Sequence, residues 1–180
     1  PVTVHLCPGI PGQVGLARAN AFRKGTAEYV AFVDADDEVV SGAFQAALDI
    51  LDNRPEIIAT YCDVQLIGHP EGVGYFKAPW TPLAQLFGPS EVHHLHVMRR
   101  FAVEPHLAEL ERWDGYEEYT LMGLICQFGQ QYHIPYPWYR FRQHNAYPRA
   151  GAIGGDPLRK AAGRRVLPIL YPLIKAGVCQ

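Results

Sequence analysis

Residues 29–37 read Tyr-Val-Ala-Phe-Val-Asp-Ala-Asp-Asp, five apolar side chains running straight into three carboxylates. Asp34, Asp36 and Asp37 are hard oxygen ligands, and two or three of them together suit Mg²⁺ or Mn²⁺. An ion held there can bridge to a diphosphate and stabilise its charge as a Lewis acid. In extended backbone Asp34 and Asp36 project to the same side. The plainer reading is a polar turn capping the next helix, since short acidic motifs also arise by chance. A second carboxylate pair, Glu117 and Glu118, opens a helical pattern just after Gly115. A carboxylate there can act as a general base, worth ~10²–10⁴-fold in rate. The plainer reading is favourable negative charge at a helix N-terminus.

These acids need elements to position them. The apolar run at 29–33 has the pattern of a strand buried on both faces. The acids then stand where that strand leaves the sheet, the place where open α/β sheets bind ligands. Residues 2–6 alternate like a strand, 7–15 form a Pro/Gly loop, and 15–24 read as a helix ended by Gly25. Ser41 is placed to cap a helix reaching Asn53, with Pro55 stopping it, and 57–67 read as strand. The order strand, helix, strand, helix, strand favours a mostly parallel sheet with helices on both faces. Residues 68–89 form an excursion with one short helix, and 91–99 a further strand. A helix over 117–128 ends at Gly129, and short strands at 132–134 and 138–141 flank Pro135 and Pro137. The tail over 151–180 is helix-prone and basic, a part of the same domain as residues 1–150.

A chain of 180 residues is long enough for one domain with a core. A net charge near −2 gives no bulk signal for nucleic acid or an anionic membrane. No apolar run reaches the length of a membrane span. Cys7, Cys62, Cys126 and Cys179 are scattered, which favours reduced thiols and a cytoplasmic location. On a strand His94 and His96 share a side while His93 points away, and no third zinc ligand is evident by spacing.

Several of these pieces together resemble one family. Gly15-Leu-Ala-Arg18-Ala-Asn20 followed by Glu28-Tyr29 and the Asp34-Ala-Asp36-Asp37 cluster is similar to the inverting family 2 glycosyltransferases. Trp113-Asp-Gly-Tyr-Glu117-Glu118 resembles their Glu-Asp element, and Tyr139-Arg-Phe-Arg142-Gln-His144-Asn145 their late Arg-x-His element. The resemblance spans residues 2–147. It departs from the pattern at Ala19 (with Asn20 displaced by one), at Ala27, and at Glu118, where the family carries Asp. It also implies a first strand and helix ahead of Val2, so that the chain reads as an N-terminally truncated GT-A fold.

The resemblance implies a metal-dependent glycosyltransferase, moving a sugar from a nucleotide-diphosphate donor, a UDP-sugar, to an acceptor hydroxyl with inversion. The acceptor would be a carbohydrate or another hydroxyl compound. Asp36 becomes the principal Mn²⁺ or Mg²⁺ ligand, with Asp34 facing the ribose or the metal shell and Asp37 a ligand or helix cap. His144 completes the metal site or touches the diphosphate. Glu118 is the base, with Glu117 beside it. Arg18 orients an acid of the donor site, Arg142 contacts phosphate, and Arg164 and Arg165 would do so if the tail closes as a lid. Two rival readings stand beside this one. The first is a degenerate, non-catalytic module of the same fold that binds carbohydrate or protein, and the second is a nucleotidyltransferase. An exposed strand edge would favour homo-oligomerisation.

Overall fold

The computed structural model describes residues 2–68, 72–75, 78–87, 94–143 and 157–177. Its backbone axis is β3 (Ile57–Gly68), which runs parallel to β6 (Gln130–Gln143) along most of its length. Residues 57–64 are all buried, as expected of a central strand rich in apolar and β-branched side chains. On the other side β3 pairs antiparallel with β5 (Val97–Arg99) and with β4 (Gly72–Tyr75). The path across the sheet is completed by β1 (Tyr29–Ala31) on β5 and β2 (Glu38–Val39) on β6, both antiparallel. The fold is therefore the expected α/β class, with strands that are not all parallel. β1, β3 and β6 share one direction, and β2, β4 and β5 run against them.

Helices cover both faces. Tyr61 and Ile58 of β3 pack on one side with α1 (Val14–Phe22), α6 (Glu117–Ile125) and α7 (Pro157–Lys175). Ile57, Cys62 and Val64 pack on the other with α2 (Ala43–Asn53), which buries Ala43, Ala47 and Leu51 at intervals of four. All nine residues of α6 are buried, so it runs as a core helix and not as an amphipathic one. It tightens into a 3₁₀ turn at Cys126–Phe128, which completes the expected span of 117–128. α7 lies close against α6 because Gly123 has no side chain: a Cβ there would sit 2.5 Å from Val166 Cγ1.

Several local expectations are corrected. Residues 2–6 do not form a strand, since alternation of side chains makes no ladder without a neighbouring backbone to bond. β1 is half-buried, because it lies at the end of the strand path with β5 as its one neighbour there. Gly42, not Ser41, precedes α2 (φ 93°), with Trp138 packed where a Cβ would point. The expected strand at 91–99 shortens to Val97–Arg99, with residues 91–93 outside the described ones. The short strands at 132–134 and 138–141 are one strand. Ile134 pairs with Cys62 and Tyr139 with Val64, so 135–138 bulge opposite Asp63 and take both prolines out of the ladder. The excursion after β3 contains α3 (Pro82–Phe87), its first turn capped by Thr81 Oγ1 accepting from Ala84 N at 2.9 Å. Cys7, Cys62 and Cys126 are not in disulfides, and Cys179 lies outside the described residues.

Candidate functional site

The acidic cluster is not extended. After β1 the chain turns, Asp37 N donating to Asp34 O at 3.1 Å. This corrects the expectation that Asp34 and Asp36 face the same way. A four-residue turn brings its first and last side chains together instead, and the structure gathers Asp34 with Asp37. Asp36 is exposed at the turn's apex. Pairing of β2 with β6 then seats Asp37 over Tyr139, whose hydroxyl donates to Oδ2 at 2.7 Å. Arg142 N donates to Asp37 Oδ1 at 2.7 Å. The Arg142 side chain, expected on phosphate, donates to Asp36 O at 2.8 Å and to the Glu38 carboxylate at 3.0 Å. It braces the turn from the outside.

The second carboxylate pair arrives on α6, entered through Gly115 (φ 96°) and Tyr116 (φ 62°). α1 docks beside it, with Gly15 N donating to Trp113 O at 3.0 Å. A Cβ on Gly15 would meet Leu110 O at 1.9 Å, so this approach requires glycine. One turn further along α1, Arg18 reaches all three acids. It donates a hydrogen bond to Asp34 Oδ1 at 2.9 Å and forms ion pairs with Glu117, Oε1 at 3.0 Å, and with Glu118. The Arg18 side chain is 12% exposed, so this is a nearly buried hub rather than a surface pair.

Electrostatics follow from that crowding. Burial works against the Arg18 charge, but Glu118, Glu117 and Asp34 outweigh it and hold the guanidinium above its ordinary pKa. Burial raises the pKa of Asp34 and of Glu117, with Arg18 opposing both shifts. Asp37 is raised by burial too, against the donors Arg142 N and Tyr139. The Tyr139 hydroxyl is pushed up by burial and by donating to Asp37.

His94, from the segment before β5, joins the two halves. It is buried and stacks on Tyr139 with ring centroids 4.7 Å apart and planes 11° apart. Its Nε2 lies 3.8 Å from Asp34 Oδ2 and its Nδ1 3.8 Å from Glu118 Oε1. Cys62 Sγ accepts from Leu95 N at 3.3 Å and fixes that segment on β3. Asp34, Asp37 and His94 each offer a ligand atom, all within 4.8 Å of one another. Metal–oxygen bonds of ~2.1 Å span about 4.2 Å across an ion, so a small closure would let the set hold Mn²⁺ or Mg²⁺. Two carboxylates and an imidazole suit Mn²⁺ in donor chemistry.

Arg18, Asp34, Asp37, Glu117 and Glu118 thus meet as a cluster, with Arg142 at its edge. His144 and His93 lie outside the described residues. Arg165 pairs with Glu109 at 2.9 Å and Arg164 is exposed, so neither contacts the acids just named. His94 is the residue that sequence spacing missed. His96 was its expected companion, whereas its neighbours are acids distant in sequence, and no local pattern encodes that contact.

Comparison with solved structures places this fold. TarS from S. aureus, solved with UDP-GlcNAc, superposes with a TM-score of 0.65 at 15% identity, covering 87% of this chain and 46% of that one. Its UDP complex gives 0.61 at 16% identity, covering 88% and 45%. The chain has the fold of these GT-A glycosyltransferase structures and spans less than half their length. Uncharacterized protein y4gI from Sinorhizobium fredii is 27% identical over 164 residues, which is 87% of this chain and 18% of that protein. No protein-family profile matches the chain.

Proposed function

We propose that this chain is a glycosyltransferase domain that moves a sugar from a UDP-sugar to an acceptor hydroxyl with inversion. The observation that carries the reading is the Arg18 hub. It ties the turn at the end of β1, where a diphosphate-bridging ion would sit, to two carboxylates at the start of α6. The TarS structures with UDP and UDP-GlcNAc support the donor class through a shared fold. Asp34, Asp37 and His94 would hold Mn²⁺ or Mg²⁺, with Asp36 and His144 the further ligands that the family resemblance assigns. The ion supplies stabilisation of charge on the leaving diphosphate. Glu118, or Glu117 beside it, takes the acceptor proton as the oxygen attacks the anomeric carbon. The bond from that carbon to the phosphate oxygen breaks on the opposite face, and UDP departs.

Calorimetric titration of UDP with and without Mn²⁺, followed by a transfer assay, tests the reading. Binding is expected to require Mn²⁺ and to weaken at least tenfold in Asp37→Asn. Glu118→Gln is expected to keep UDP binding and lose ~10²–10⁴-fold in transfer. UDP affinity indifferent to Mn²⁺ and to Asp37→Asn would sink the metal site. Absence of any UDP binding would favour the non-catalytic module.

A further inference from the structure

The net charge of the whole chain conceals a local excess. Residues 157–177 contain Arg159, Lys160, Arg164, Arg165 and Lys175 and no acid at all. α7 buries Ala162, Val166 and Leu170 against the core. At 100° per residue, Lys160, Arg164, Leu167, Tyr171 and Lys175 fall within a sector of roughly 80° whose centre lies about 140° from that of those three. All five are exposed, Leu167 at 40% and Tyr171 at 55%. Arg165 is neutralised by Glu109, but among the described residues no carboxylate pairs with Lys160 or Arg164. Lys175 lies over the Tyr171 ring at 5.7 Å.

We propose that this outer face of α7 docks on an anionic membrane surface. A stripe about 22 Å long, cations at both ends with a leucine and a tyrosine between them, matches the headgroup layer of such a bilayer. The cations meet the lipid phosphates, while Leu167 and Tyr171 enter the interface, where an amphipathic ring is well placed. Charge complementarity favours this occupant over a second copy of the chain, whose same face would present the same cations. Among the described residues no helix is long and apolar enough to cross a membrane.

The docking has a direction. Gly163 approaches Tyr119 Oη (3.8 Å from a Cβ placed on the glycine), Val166 lies against Gly123, and Leu173 lines a cavity with Cys126 and Phe128. α7 therefore runs alongside α6 in the same sense, and its Lys160–Arg164 end is the end at which Glu117 and Glu118 stand. The membrane would lie along α7, with the Lys160–Arg164 end of the contact nearest Glu117 and Glu118.

Flotation of the whole chain with vesicles tests this, comparing phosphatidylglycerol/phosphatidylcholine mixtures with pure phosphatidylcholine. Binding is expected to the anionic vesicles alone and to be lost at 0.5 M salt. Each surface cation is worth about fivefold in partitioning, so Lys160→Gln with Arg164→Gln should lower it roughly thirtyfold. Leu167→Ser with Tyr171→Ser should lower it further while lowering thermal stability only slightly, Leu167 being 40% and Tyr171 55% exposed. Equal binding to neutral vesicles, or none to either, overturns the proposal. So does binding that the charge variant leaves intact. Concentration-dependent self-association abolished by Tyr171→Ser, without vesicle binding, would assign the face to a second copy instead.

Discussion

Replacing Arg18 by Gln tests the electrostatic account at its centre. Arg18 is the shared counter-ion of Asp34, Glu117 and Glu118, and the side chains of the two glutamates are slightly less exposed than its own. Removing one partner of a buried ion pair costs about 3–5 kcal/mol, because the charge left behind is uncompensated. Asp34 adds little to that figure, since its side chain is 39% exposed and water screens it. For a chain of this size the loss corresponds to a fall of about 6–20 °C in Tm. The pH dependence has a definite sign. Burial already raises Asp34 and Glu117, and Arg18 opposes both shifts, so its removal raises them further. An acid whose folded pKa lies above its unfolded value begins to cost stability as pH rises past the unfolded pKa, and the cost is complete above the folded one. Protonation on the way down relieves that cost. The gap in Tm between parent and variant should therefore be larger at pH 8 than at pH 5. Calorimetric unfolding at several pH values measures it, and adding Glu117→Gln to Arg18→Gln should recover part of the loss at pH 8. A gap below 1 °C, or one that does not change with pH, would refute the buried hub.

Two further substitutions probe the supports of the site. Tyr139→Phe removes the hydroxyl that donates to Asp37 and keeps the ring beneath His94. A hydrogen bond to a charged group contributes about 1.5–3 kcal/mol. Because that bond lowers Asp37 against its burial, the loss should be greatest where Asp37 is ionised and shrink as pH falls. Urea unfolding at pH 8 and pH 5 reads both, and equal midpoints for parent and variant at pH 8 would refute the bond. Gly123→Ala drives a methyl group into Val166 and should cost about 1–3 kcal/mol, with Val166→Ala restoring part of it. If the single variant unfolds at the same urea concentration as the parent, α6 and α7 are not in close contact.

Much of this protein was legible in its sequence. Apolar periodicity located α2 and α6 within a few residues, because helical spacing of side chains is a local property, and α1 was read from a helix-forming run ended by Gly25. The chemistry-bearing acids were legible for a similar reason: three carboxylates after an apolar run, and two after a glycine turn, stand out against the apolar pattern. What the sequence could not carry was register and convergence. Residues 135–138 with two prolines looked like a break between strands, and the bulge against Asp63 makes them part of one. Asp34 and Asp36 looked like partners in extended backbone, and one hydrogen bond from Asp37 N makes Asp34 and Asp37 the pair. His94 had no companion by spacing, and packing set it against Asp34, Glu118 and Tyr139. The sequence by itself determined which residue types were present and which local elements they form, since propensity and patterning act over a few neighbours. Only the tertiary structure decided that Arg18 would hold acids from two distant segments, and that the face of α7 carrying Lys160, Arg164 and Lys175 would point outward. Both depend on how helices lie on the sheet, which is set by long-range packing such as the glycine contacts of Gly15 and Gly123.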